Sequence, residues 1–342
     1  MVRRLISFVL LVAVAAGLLV AAFPQVVGWQ RDYYVAQVIA FRGAMVAVAV
    51  VAAFVFLLVA LIARPVRGFF GGLTTLLVIF ALISAGIVVE RGTGDAKFAT
   101  KTTGDITVVS WNTRGGAPGP AAIAKLALAE HADVVSLPET THQTALEVAV
   151  AMKTGGIDMN LFTLTYSDTD KSKSTSLLIV KSLGTYTVSL DKTTTEILPT
   201  VIAKPASGKG PTIVAVHSVA PVHYFMSQWR HDLSYLASLC GSNADVIMAG
   251  DFNSTLDHMK GLGTGSAALG SCRDAALATS NAGVGTWPTS VPQLAAASID
   301  HVMASSGYRV DGFHVIGSED NAGSDHRPVV AQLTPKDLST AN

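Results

Sequence analysis

VIMAGDFN, residues 246–253, runs from four apolar residues through a glycine into an acid and an asparagine. The apolar part suits a strand buried on both faces. Its end is abrupt and polar, and binding groups gather where strands open into loops. Asn and Asp also cap ordinary turns, so one such end settles nothing. What matters is whether other apolar runs in the chain end in the same way.

They do. TVVSWN ends in Asn112, VVSLPE in Glu139 and VAVHSVAP (214–221) in His217. AASIDH sets Asp300 beside His301, and AGSDHRP brings Asp325 and His326 in just before the run RPVVAQL. Asn, Asp and Glu supply hard oxygen ligands suited to Mg²⁺ or Mn²⁺. No Cys/His spacing points to zinc. Two histidines and the pair Asp251 and Asn253 beside such a cation suit attack of water on a phosphate ester. A carboxylate activates the water, and a protonated imidazole stabilises the phosphorane or donates a proton.

The motifs SWN, LPET, VHSVAP, GDFNST, SIDHV and SDHRPV occur in that order. They resemble the endonuclease/exonuclease/phosphatase superfamily, which includes DNase I-like nucleases, abasic-site endonucleases, neutral sphingomyelinases and inositol-polyphosphate phosphatases. The resemblance spans residues 105–335, and GDFN followed by SDH is its most specific part. It implies an α/β four-layer sandwich of the DNase I-like kind with the site at one edge of two packed sheets. By that resemblance Glu139 is the principal Mg²⁺ ligand, with Asn112 beside it. Asp251 orients or deprotonates the attacking water, and Asn253 holds a phosphate oxygen. His217 contacts the scissile phosphate or protonates the leaving group. His326 is the second phosphate-facing histidine, oriented by Asp300, while Asp325 assists the metal or fixes the loop. One position departs from the abasic-site endonucleases, which carry an acid two places after the WN asparagine. Here that place is Arg114, which cannot bind a cation and instead meets a substrate phosphate or solvent.

Other residues take plainer readings. His131, His142, His223, His231, His258 and His314 have no motif around them and are read as surface or helix positions. His301 is read as packing, Trp287 in GTWP as a core residue beside a turn or, second, as lining the substrate mouth, and DTDKSKS (168–174) as a solvated hairpin or loop.

Half of the 342 residues are hydrophobic, only 14% are charged, and the mean hydropathy is +0.46, too apolar for an ordinary soluble domain. The excess sits in three uncharged runs, Leu5–Phe23, Ala44–Ala63 and Phe69–Val89. Each is near the ~20 residues needed to cross a bilayer core, and they read as three transmembrane helices within a membrane domain of residues 1–90. Arg3 and Arg4 also fit the start of a signal peptide, but the run that follows exceeds the ~7–15 residues of a signal core. Arg3 and Arg4, with Arg64 and Arg67 in the turn ARPVRG, place the N-terminus in the cytoplasm. Three crossings then leave everything after Val89 outside: a linker at 91–104, the domain at 105–335 and a tail at 336–342.

Past residue 100 the chain holds 16 Lys and Arg against 21 Asp and Glu, a net of −5. It lacks the broad positive charge of a protein that grips nucleic acid through phosphates. Cys240 and Cys272 both fall in this exported part, where a disulfide persists. Three helices exceed the needs of an anchor and point to a substrate held in the bilayer, a lipid or lipid-linked phosphate ester. An extracellular nuclease is the second expectation, with Arg114 and Lys171 as its phosphate contacts. A catalytically inactive binding module is a third, but the GDFN and SDH positions show none of the losses it requires.

Overall fold

A computed structural model describes residues 1–94, 98–188, 195–241 and 245–336. The tail beyond Lys336 lies outside the described residues. The three apolar runs form α1 (Val2–Ala22), α3 (Arg42–Ile62) and α4 (Arg67–Arg91), each long and apolar enough to cross a membrane. Between the first two lies α2 (Tyr33–Ala40), a short helix in a stretch read as connection. The α3–α4 hairpin buries Ala49, Ala53, Ala60 and Ala81, small residues that let helix backbones approach. Phe54, Leu61 and Leu82 point outward, an apolar exterior that suits lipid rather than water.

The remaining chain folds into two six-stranded mixed sheets. The first takes β1 (Ile106–Ser110), β2 (Val134–Pro138), β3 (Met159–Thr165), β4 (Ser174–Val180), β11 (Tyr308–Val315) and β12 (Val329–Pro335), in the order β11-β12-β1-β2-β4-β3. The second takes β5 (Tyr186–Val188), β6 (Val201–Pro205), β7 (Thr212–His217), β8 (Val246–Asp251), β9 (Arg273–Asp274) and β10 (Asp300–Ala304), in the order β5-β6-β7-β8-β10-β9. Alternation along the central strands builds the layers. Val108, Val134 and Ile179 face inward against Ile213, Ala249 and Val302 of the other sheet. Val109, Val135 and Leu178 face outward beneath α5 (Pro120–Ala129) and α6 (His142–Thr154). On the far side α7 (Met226–Leu239) covers Val214, Val216 and Met248. Helix, sheet, sheet and helix make the expected four layers.

The structure pins the start of the segment read as a linker. The N–H groups of Ala282 and Gly283 donate to the carbonyls of Arg91 and Gly92, each at 2.9 Å. Below them, Asp257 of α8 (Leu256–Met259) receives two arginines from the membrane helices. Arg42 reaches it at 3.0 and 3.1 Å, and Arg91 at 2.7 and 3.0 Å. Cys240 and Cys272 are bridged, tying the end of α7 to the loop before β9.

Candidate active site

Register delivers the polar groups. In the second sheet His217 pairs with Asp251, and Asp251 pairs with Asp300, so three adjacent strands end side by side. Gly250 precedes Asp251 because a side chain there would collide with the backbone of Val216 on β7. In the first sheet Asn112 follows β1, Glu139 follows β2 and His326 precedes β12, strands that are neighbours in the order β12-β1-β2. The two sheets thus present all these residues at one edge. Glu139 and Asn253 hold left-handed backbone, with φ of 54° and 46°. Non-glycine residues rarely adopt that region, and such strain clusters at functional sites.

The centre is a continuous network. Asn112 Nδ2 lies 3.1 Å from both Glu139 Oε1 and Asp251 Oδ2, linking the sheets. The Asn253 backbone N–H donates to Asp251 Oδ1 at 2.8 Å, while its Nδ2 donates to Asp251 Oδ2 and to the Ser218 carbonyl. His326 Nδ1 lies 2.9 Å from Asp300 Oδ2, and its Nε2 lies 3.8 Å from Asp251. Behind it, Ser324 Oγ donates to the Asn112 carbonyl and accepts from the His326 N–H, fixing the histidine's loop to β1. His217 sits 3.9 Å from Glu139 and 3.4 Å from Thr175 Oγ1.

The two histidines differ in basicity. Burial lowers His217 to about 3, with the nearby His326 adding to the effect, so its ring is neutral. Burial also opposes charge on His326, but Asp300 and then Asp251 outweigh it and raise the ring to about 10. Burial raises Asp251 against the pull of His326, and burial raises Glu139 as well.

Hard oxygens dominate the donor set. Glu139 is half-buried and lines the cavity, and Asp300 Oδ1 is buried with no hydrogen-bond partner among the described residues. Asp251, Asp300 and His326 also lie close enough to ligate one ion, their ligand atoms all within 4.8 Å of one another. With Glu139 beside them, these groups make a donor set that fits a divalent cation.

Arg114 and Asp325 stand at the rim, 3.8 Å apart and 63% and 35% exposed. Trp287 corrects the reading of a core residue: it is half-buried, lines the cavity and donates from Nε1 to Asp325 at 3.0 Å. His258 is another correction. It lies in α8 but is fully buried, accepting the Thr255 N–H at Nδ1 and bonding the Ala36 carbonyl of α2 through Nε2. His314 is half-buried on β11 against Phe98, while His131, His142, His223 and His231 are exposed. His301 packs as expected, held between Asp274 and the Ser254 carbonyl. Residues 168–173 lie in the connection between β3 and β4, and Ser174 is the first residue of β4.

The centre opens into a cavity of ≈ 510 Å³ whose opposite wall motif reading missed: Ala36, Gln37 and Ala40 of α2, and Phe41. Only the aromatic, apolar YYVAQVIA after Asp32 signalled it.

The fold is shared with solved structures. D. rerio TDP2 humanized by 14 mutations is 18% identical, covers 68% of this chain and 100% of its own, and superposes with a TM-score of 0.53. An endonuclease/exonuclease/phosphatase from Beutenbergia cavernae is 19% identical, covers 68% of this chain and 72% of its own, and gives 0.52. A family protein from Leptotrichia buccalis is 12% identical over 67% of this chain and 99% of its own, at 0.51. No curated protein matches. The model of the Endonuclease/Exonuclease/phosphatase family matches residues 109–326, the stretch that carries every strand-end residue above, and the chain belongs to that family of metal-dependent phosphoesterases.

Proposed function

We propose that this protein is a membrane-anchored, extracytoplasmic, Mg²⁺- or Mn²⁺-dependent phosphoesterase acting on a lipid or lipid-linked phosphate ester. One juxtaposition carries the reading. The Asp251–His326–Asp300 group and Glu139 open into a cavity walled by the chain that connects two apolar helices. Arg3, Arg4, Arg64 and Arg67 lie at the opposite end of the bundle from Arg31, Arg42 and Arg91, where the catalytic domain is fixed. That small excess of arginine supports placing the domain outside.

Glu139 would hold the cation, with Asn112 beside it and Asp325 at the rim. A bound divalent cation offsets charge on the phosphate and on the leaving oxygen. Asp251 would orient the attacking water and accept its proton, held by the Asn253 N–H and Asn112 Nδ2. As placed, Asn253 positions Asp251, and its contact with a phosphate oxygen requires exchange of one of those bonds. Charged His326, oriented by Asp300, would meet the phosphate oxygens. Neutral His217 would donate a hydrogen bond to the same group.

A nuclease acting on single strands is the second reading, favoured by Arg114 and Lys171 near one rim of the cavity. D. rerio TDP2 of the same fold has been solved with a single-strand DNA product. The test is divalent-cation-dependent hydrolysis by the full chain in detergent, with bis-p-nitrophenyl phosphate, single-stranded and duplex DNA, RNA and extracted membrane lipids offered in parallel. Turnover of lipid that disappears in Asp251→Ala and His326→Ala supports the proposal. Turnover of nucleic acid alone replaces it with the nuclease. Saturable cation binding without turnover of any substrate turns it into a binding module.

A further inference from the structure

Beyond the phosphate end, the cavity has a second half made of carbon. Ala40 and Phe41 line it together with Leu198, Val222 and Trp287. Phe41 and Trp287 are 5.8 Å apart between ring centroids, and Trp287 is 6.4 Å from the His326 ring. An aromatic series thus runs from the start of α3 to the charged histidine. This wall is held in place. Gln37 Nε2 donates to the Pro221 carbonyl at 2.7 Å, and His258 grips the Ala36 carbonyl at 3.0 Å. Ala36 is fully buried against Trp229 and Leu233 of α7. The site is therefore complete only when the membrane half is docked.

We propose that this apolar half is a subsite for hydrocarbon attached directly to the scissile phosphate, and that Phe41 is its specificity-determining residue. The inference rests on the phosphoesterase reading and sharpens its substrate to an amphiphilic phosphate ester. A volume of ≈ 510 Å³ exceeds what a phosphate group fills and falls within the ~300–1,000 Å³ of small-ligand sites. A chain lying along Trp287 and Phe41 would leave the cavity where α3 begins, at the end of the apolar bundle. Bulky nucleic acid would instead meet α2.

The test uses alkyl p-nitrophenyl phosphodiesters from methyl to octyl, below their micellar concentrations, with Mg²⁺ and the full chain in detergent. Each methylene that enters the subsite is expected to raise kcat/KM about fourfold. Phe41→Ala should flatten that dependence, and Ala40→Leu should move the plateau to shorter chains. The octyl-to-methyl ratio is the readout because it is independent of the folded fraction of each preparation. A flat series in the wild type, with turnover intact, overturns the subsite and leaves the phosphoesterase reading standing. A slope as steep in both variants as in the wild type places the chain elsewhere and also overturns it. Absence of cation-dependent turnover of every ester removes the phosphoesterase reading and the subsite with it.

Discussion

The cavity has two faces built on opposite principles. At one, Asp251, His326, Asp300 and Glu139 crowd charge into a buried edge, with left-handed backbone at Glu139 and Asn253. At the other, α2 contributes small apolar residues and Phe41 follows it, the helix secured by hydrogen bonds to the backbone. Substitutions at the first face cost rate, whereas substitutions beneath the second cost the union of two halves of the molecule.

The largest expected effect is at the charged face. His326→Ala removes the ring that bonds Asp300 and faces Asp251, leaving two buried acids without that cation. Turnover should fall about 10²–10³-fold with the fold retained, as for loss of a group that stabilises transition-state charge. Asp300→Asn, which keeps a hydrogen bond but not the charge, should fall less. Steady-state kinetics beside circular dichroism checks both, and a variant within tenfold of wild type removes His326 from the mechanism.

The seam comes next. Asp257 neutralises both Arg42 and Arg91 and is held at about 2, burial being outweighed by the two guanidinium groups. Asp257→Ala strands two arginines at a buried junction, and breaking such a pair costs about 3–5 kcal/mol. Thermal unfolding in detergent should shift down by roughly 5–15 °C. A shift under 2 °C would show that the catalytic domain does not depend on this junction.

These two faces were unequally legible in the sequence. Every group at the charged face stands at one end of an apolar run, and chemistry restricts which residue types can work there, so order and type were informative. The central strands were legible because both their faces are buried. β3, β6, β9 and β11 were not: β3 and β11 are half-buried edge strands, β6 carries Lys204 and Pro205, and β9 has two residues. α2 escaped because eight residues give too short a pattern, and its role comes from docking rather than periodicity. Trp287 was noticed but assigned to the core, since nothing in GTWP reveals that its Nε1 finds Asp325. Asp257 carried no signal because Arg42 and Arg91 lie more than 160 positions away, and for His258 the Ala36 carbonyl is as distant.

A pH experiment sharpens the seam further. Burial lowers His258 to about 4 against ~6.5 when unfolded, so the folded state binds fewer protons between those values. The stability this neutral ring provides is complete above pH ~6.5 and is lost as pH falls toward 4, about 3 kcal/mol in all. The geometry agrees, because Nδ1 must accept the Thr255 N–H and cannot when protonated. His258→Gln should therefore lose less stability than wild type between pH 7.5 and pH 4.5. Equal losses would assign the acid sensitivity to other groups.

The smallest effect is expected at the rim, where the two faces meet solvent. Arg114 is 63% exposed and its nearest acid, Asp325, is 3.8 Å away, a pair worth about 0–1 kcal/mol. Arg114→Ala should change kcat/KM for a lipid phosphate by less than about fivefold. The same substitution separates the two substrate classes: a single strand extending past Glu139 would lie across Arg114, and its loss would then weaken nucleic acid binding and reduce its salt dependence. A drop above a hundredfold on DNA, with lipid turnover unchanged, would move the basic rim into the binding machinery and shift the substrate from the apolar wall to the phosphate backbone.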